Sequence, residues 1–328
     1  MQVLKFIVIM ASIGACQPQR KTEKTGVAPE PAPAVSADQE PRPQTCLVKK
    51  TPARLLSETG CVDPKDPARP AASVVPYDIV APLWSDGSAK QRYLALPVGQ
   101  KARFDADGHL DVPVGSVTIK HFELQGRPVE TRLYMKESAT SWQGYSYEWR
   151  DDGSDAVLLE AGKEKDIGGQ TWVYPSPRQC ESCHSQVAQV ALGLSYGQLS
   201  KKDQIATLEK AGVLEPDSTP REMRLVDYND INEPIDARAR SYLQGNCAYC
   251  HQPKGSGLGG FDLRIIHDFA SLGICNKPAF FEVFPVTDGR IYKPGVPSES
   301  ILLLRMKDNA DFHMPPQVSR RVDTAGVD

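Results

Sequence analysis

Two pentapeptides constrain this chain more than anything else in it: Cys180-Glu181-Ser182-Cys183-His184 and Cys247-Ala248-Tyr249-Cys250-His251. Each has the form C-x-x-C-H, in which two thiols can form thioethers to the vinyl groups of a haem and the adjacent histidine is held against the iron. The pattern predicts two haem c groups, attached through Cys180, Cys183, Cys247 and Cys250, with His184 and His251 as proximal ligands. Zinc fits less well, because paired C-x-x-C motifs for zinc are usually separated by about 15–20 residues. A thioredoxin-like dithiol needs a βαβ setting, which the pattern lacks.

The settings of the two motifs differ. Pro234 can open a helix in whose first turn its missing N–H costs nothing. Ile235, Ala239 and Tyr242 or Leu243 then fall on one face, and Gly245-Asn246 ends the helix just before Cys247. Downstream, Asp311-Phe312-His313-Met314-Pro315-Pro316 places Met314 on a Pro-stiffened loop, the expected distal ligand of the second haem, with His313 as an alternative. His/Met ligation leaves no open position and suits electron transfer. Upstream of the first motif, Pro175 and Pro177 exclude a long helix leading into Cys180, so a preceding strand must present it. Helices are expected over 187–194 and 201–211, the second ended by Gly212. The distal ligand of the first haem is Met223 or His121 on this reading, with His109 a further rival.

The N-terminus points to export. A short apolar run with Lys5 beside it reads as a signal peptide over 1–15, and Ile13-Gly14-Ala15-Cys16 resembles a lipobox, with Cys16 as the lipidated residue. Gln17 after it favours the outer membrane. Residues 16–45 lack aromatics and are rich in Pro, Ala, Glu, Gln and Thr, the composition of a disordered tether. In an oxidising compartment Cys46 and Cys61 can form a disulfide, which leaves Cys275 as a small buried hydrophobe. The net charge of −3 supplies no basic field for nucleic acid.

Between the tether and the first motif the pattern is that of strands. Short runs rich in β-branched or aromatic residues at 112–114, 117–122, 131–135, 145–149, 157–159 and 171–174 are punctuated by Asp107-Gly108, Gln125-Gly126, Asp152-Gly153 and Gly168-Gly169. Alternation places Tyr145, Tyr147 and Trp149 on one face, as core aromatics of a sheet or, less simply, as a glycan-binding face. The fold class expected is α+β: an antiparallel β-sandwich or barrel-like domain over 46–175, a first haem segment over 176–232, and a mainly α-helical cytochrome c region over 233–328.

Several stretches carry a resemblance: Pro76-Tyr77-Asp78, Ala81-Pro82-Leu83-Trp84-Ser85-Asp86-Gly87, Gly144-Tyr145-Ser146-Tyr147-Glu148-Trp149, Asn246-Cys247 and Met314-Pro315-Pro316. From about residue 46 onward the chain resembles a family of largely uncharacterised dihaem c-type cytochrome lipoproteins of Gram-negative bacteria. That resemblance implies two covalent haems behind a β domain, and electron transfer on the periplasmic face of the outer membrane with a periplasmic redox partner. It also implies a closing helix beyond the segment 322–327, where this chain ends at Asp328, and an Arg where His313 stands. Arg264, Arg290 and Arg305 are candidate partners for haem propionates. The leading expectation is therefore an electron carrier rather than an enzyme. The alternatives are a dihaem peroxidase or an electron-accepting module of a dehydrogenase, using the first haem, and a partner- or glycan-binding module.

Overall fold

The computed structural model describes residues 46, 52–216, 223–281, 284–316 and 319–328. The expected signal peptide, tether and lipidation site Cys16 lie outside the described residues. A short ribbon, β1 (Val62–Asp63) and β2 (Asp66–Pro70), precedes β3 (Val75–Tyr77) and β4 (Ala89–Ala95). A second ribbon pairs β5 (Arg103–Phe104) with β6 (Leu110–Asp111). Then come β7 (Val117–Leu124), β8 (Arg127–Lys136), β9 (Trp142–Trp149) and β10 (Ala156–Leu159), followed by the hairpin β11 (Lys163–Asp166) and β12 (Thr171–Tyr174). One six-stranded sheet dominates, in the order β10-β9-β8-β7-β4-β3, antiparallel throughout. Gln125 and Gly126 join β7 to β8 with φ of 52° and 73°, the two left-handed residues of a type I′ turn, whose twist matches that of the strands.

The register sorts residues between the two faces of this sheet. Tyr93, Ile119, Leu133 and Tyr145 align across four strands on one face, as do Gln91, His121, Thr131 and Tyr147. This face is the main core, packed with Leu56, Val74, Trp149 and the Cys46–Cys61 disulfide. Tyr145, Tyr147 and Trp149 therefore share a face as the alternation predicts, and Tyr147 and Trp149 are buried core aromatics. The opposite face aligns Arg92, Lys120, Arg132 and Ser146 across the same strands. Its ends are covered by apolar groups: Phe122 against Trp172 and Tyr174 at one side, Leu94 against Ala191, Leu194 and Leu199 at the other.

The expected fold class needs correction on two counts. The β region forms one open six-stranded sheet with two-stranded ribbons, neither a sandwich nor a closed barrel among the described residues. Residues 233–328 are also not mainly helical. Beyond α1 (Pro177–Cys183), α2 (Tyr196–Leu199) and α3 (Gln204–Lys210), the C-terminal region contains α4 (Ile235–Asn246), α5 (Ile301–Lys307) and α6 (Thr324–Val327), joined by long irregular stretches. Prolines at 278, 285, 294, 297, 315 and 316 remove the N–H donors that helices over those stretches would require. The helix expected over 187–194 is replaced by turns, with Gln189 and Val190 at φ of 64° and 47°. The second expected helix is present as α3, closed by Gly212 at φ 71°.

The Pro-punctuated segment before β4 is a strap. Gln198 brackets Ala81 with hydrogen bonds to its N–H and its carbonyl, both 2.9 Å. Tyr228 donates to the Pro82 carbonyl (2.8 Å), and Asn246 accepts from the Trp84 amide (2.7 Å). Asp86, left-handed at φ 53°, accepts from the amides of Arg320 and Arg321. The strap thereby ties the sheet to α2, to α4 and to the C-terminal segment. Gly245 of α4 lies so close to it that an added Cβ would meet the Ala81 carbonyl at 2.5 Å.

Candidate functional site: the paired C-x-x-C-H segments

The first motif lies on α1. Tyr174 ends β12, and Ser176 caps the helix: its hydroxyl accepts from the Gln179 amide (3.3 Å) while the Gln179 side chain accepts from the Ser176 amide (2.8 Å). Pro177 occupies the first turn, so a strand followed by one short helix presents Cys180, in agreement with the expectation. The helix runs against the polar face of the sheet. A Cβ on Gly144 of β9 would sit 3.6 Å from Cys180 Cβ, and the Tyr134 ring of β8 lies 4.4 Å from the His184 ring. His184 Nδ1 is 2.5 Å from the Val190 carbonyl, which accepts if that nitrogen is protonated and leaves Nε2 free. Burial, with Lys120 as the next cause, lowers the His184 pKa to about 3, so its imidazole is neutral at physiological pH.

The second motif caps α4. Cys247 is the helix C-cap, and the His251 amide donates to the Cys247 carbonyl at 2.9 Å. Tyr242 and Leu243 of α4 are buried as expected, but Ile235 and Ala239 are exposed, because only the last turns of the helix meet the body of the protein. The His251 ring stacks on Phe261 at 4.6 Å and 11° between planes. Its Nδ1 is buried without a hydrogen-bond partner, and a Cβ on Gly257 would meet it at 2.6 Å. Burial lowers the His251 pKa as well.

The fold brings the two motifs together, a placement their spacing in the chain does not reveal. Ser256, just after the second motif, donates to the Ser182 carbonyl within the first at 3.0 Å. The Cys183 thiol donates to the Cys250 sulfur, which together with burial pushes the Cys183 pKa up, while the same bond lowers that of Cys250. Burial also raises Cys180, and it pushes Cys247 up to about 12. All four motif cysteines are free thiols. No group of three or more His, Cys, Asp or Glu side chains able to hold a metal ion occurs among the described residues. That finding corrects the expectation of two haem c groups: the residues assemble a pair of thiol- and imidazole-bearing segments and no metal centre.

The other expected site residues are dispersed. Met314 donates its amide to the Arg305 carbonyl (3.0 Å) and lines a cleft with Trp84, Tyr242 and Met306 that does not include His251. The link between the two is Arg305, whose charge reaches His251. His313 is turned to the Ala310 carbonyl through Nδ1 at 2.6 Å. Met223 packs its sulfur over Gly197 of α2. His121 points into the main core, away from the first motif: its Nδ1 contacts Thr131 Oγ1 at 2.8 Å, its Nε2 lies 3.5 Å from Glu123, and its ring meets Trp149 edge-on. His109 lies 3.6 Å from Asp105. Neither Met223, His121 nor His109 is brought to His184. Arg264 is held by Asp262 and Arg290 by Asp288, whereas Arg305 donates to the Phe312 carbonyl. Cys46 and Cys61 form the expected disulfide; Cys275, expected as an unpaired hydrophobe, is disulfide-bonded.

Sequence reasoning missed the sheet face beneath the first motif. Glu130 is fully buried there and accepts from Arg132 Nε and Nη2 (2.8 and 2.7 Å), Ser146 Oγ (2.5 Å) and Trp172 Nε1 (3.1 Å). Burial, with Arg92 and Arg132 as the next causes, lowers Lys120 to about 7, and Cys180 and Cys183 lie within its electrostatic reach. The signal was the alternation of charge in β4, β7 and β8, which reads as a solvated face unless the covering segment is known.

No family model matches this chain, and no curated protein or solved structure is similar to it.

Proposed function

We propose that this chain is a membrane-anchored periplasmic electron-transfer protein, passing electrons between a donor and an acceptor protein. The observation that carries the reading is the juxtaposition of the two C-x-x-C-H segments, joined where Ser256 donates to the Ser182 carbonyl at 3.0 Å and where Cys183 faces Cys250. Two such motifs far apart in sequence have no packing reason to meet at their reactive atoms. A pair of adjacent redox centres has one, because electron exchange needs short separations. The membrane anchor rests on the lipobox-like segment ending at Cys16.

The test is a potentiometric titration of the exported, purified protein and of two double variants, Cys180→Ala/Cys183→Ala and Cys247→Ala/Cys250→Ala. Reversible reduction and re-oxidation, diminished in each double variant, is the expected result. A protein with no reversible redox transition, or one that titrates identically without either cysteine pair, refutes the reading.

A further inference from the structure

Four basic side chains share the sheet face that looks toward the motifs. Arg92 of β4, Lys120 of β7 and Arg132 of β8 stand directly opposite one another in the register, and Lys90 lies two residues before Arg92 on the same face. Like charges opposed across neighbouring strands repel, and burial together with that repulsion lowers the pKa of Lys120 and of Lys90, so the row carries its full charge only beside a counter-charge. The carboxylates nearby do not provide enough. Glu130 is committed to Arg132. Asp78 lies 3.5 Å from Arg92 and also pairs with Lys201. Lys90 donates only to the Leu83 carbonyl. Lys120 has neither a hydrogen bond nor an ion pair to another described residue. The Nε of Arg92, a residue only 5% exposed, is buried without a partner.

The row is nevertheless reachable. The Arg132 side chain keeps 23% of its exposure and Lys120 is half-buried. The first motif lies above one end, through Cys180 and Cys183, and Tyr249 of the second motif lies near Arg92 at the other. We propose that Arg92, Lys120 and Arg132, with Lys90 beside them, form an anion-binding site for a carboxylate- or phosphate-bearing group seated between the sheet and the two C-x-x-C-H segments. The unpartnered Arg92 Nε–H and the Lys120 amine, protonated as the anion binds, are its direct donors. The forked guanidinium of Arg132, already half-engaged by Glu130, contributes charge. The inference stands on the charge row and does not need the electron-transfer reading. The anion is a free small carboxylate or phosphate.

The experiment is calorimetry with succinate and with inorganic phosphate at constant ionic strength, together with thermal melts. It uses the purified exported protein and Lys120→Met. The site predicts binding by the unaltered protein, weakened at least tenfold by Lys120→Met, and a lower melting temperature for Lys120→Met in the presence of the anion. If the unaltered protein binds neither anion, the inference is overturned. Equal binding by Lys120→Met overturns it as well.

Discussion

Replacing Glu130 by alanine should damage this fold more than almost any other single change on the sheet. The carboxylate is fully buried and accepts two hydrogen bonds from Arg132, one from Ser146 and one from Trp172. Breaking a buried ion pair by removing one member costs roughly 3–5 kcal/mol, mostly because the other charge is left uncompensated. Arg132 retains 23% exposure and can recover some hydration, which places its share near the lower limit. The indole of Trp172 and the hydroxyl of Ser146 then lose their acceptor inside the protein, at about 1–3 kcal/mol for each group that water cannot reach. The net expectation is about 5 kcal/mol for Glu130→Ala. Glu130→Gln keeps the volume and one acceptor oxygen and should cost about half of that. Urea unfolding followed by tryptophan fluorescence reads both, with Trp172 itself reporting on the site. The midpoint should fall while the dependence on urea stays constant. A loss below about 1 kcal/mol for Glu130→Ala would show that the network does not anchor the sheet beneath the first motif.

Three further outcomes follow from specific contacts. Gly245→Ala forces a Cβ to within 2.5 Å of the Ala81 carbonyl, backbone against backbone, and should destabilise by about 2 kcal/mol in the same assay; a neutral result would mean that α4 and the strap are not in contact. Removing the Cys46–Cys61 disulfide as a double alanine variant frees a loop whose ends are 15 residues apart, and should cost about 3 kcal/mol; unfolding with and without reductant checks it. Asp262 is pushed to about 2: burial opposes the shift, but hydrogen bonds from Arg264 and His267 outweigh it. Its folded pKa lies below its unfolded value, so its stabilisation is complete above about pH 4 and is lost as pH falls toward 2. Asp262→Asn should flatten that acid limb by about 2 kcal/mol, and an unchanged acid limb would remove the network from the account.

What could be read in the sequence, and what could not, divides along physical lines. Four of the six strands of the main sheet, β7 to β10, are legible from short β-branched or aromatic runs with turn signals between them: Gln125-Gly126 sits where the β7–β8 hairpin turns, and Tyr145, Tyr147 and Trp149 share the core face; β3 and β4 fall outside the expected runs. Helix α4 was legible from Pro234 and its motif, although its buried side was misread, since packing of only the final turns leaves Ile235 and Ala239 in solvent. The number of layers was not legible. The same short strands suit a sandwich or an open sheet, and the choice depends on what covers the second face. Here that cover is the irregular stretch after the first motif, whose left-handed Gln189 and Val190 cannot belong to the helix its apolar residues suggested. His121 was a candidate ligand because histidine identity says nothing of facing; the register turns it to Thr131 and Trp149. The meeting of Cys183 with Cys250 was invisible for a similar reason, being a product of the strap and the glycine loop after the second motif rather than of either motif.

The central claim is that the two C-x-x-C-H segments act as one redox unit. The most direct test compares the midpoint potentials of the exported protein with those of the two single-motif variants. Centres that meet at Cys183 and Cys250 should influence each other electrostatically, so the transition that remains in each variant should shift from its value in the intact protein. If the titration of the intact protein is the plain sum of the two variant titrations, the segments do not work together and the account is wrong.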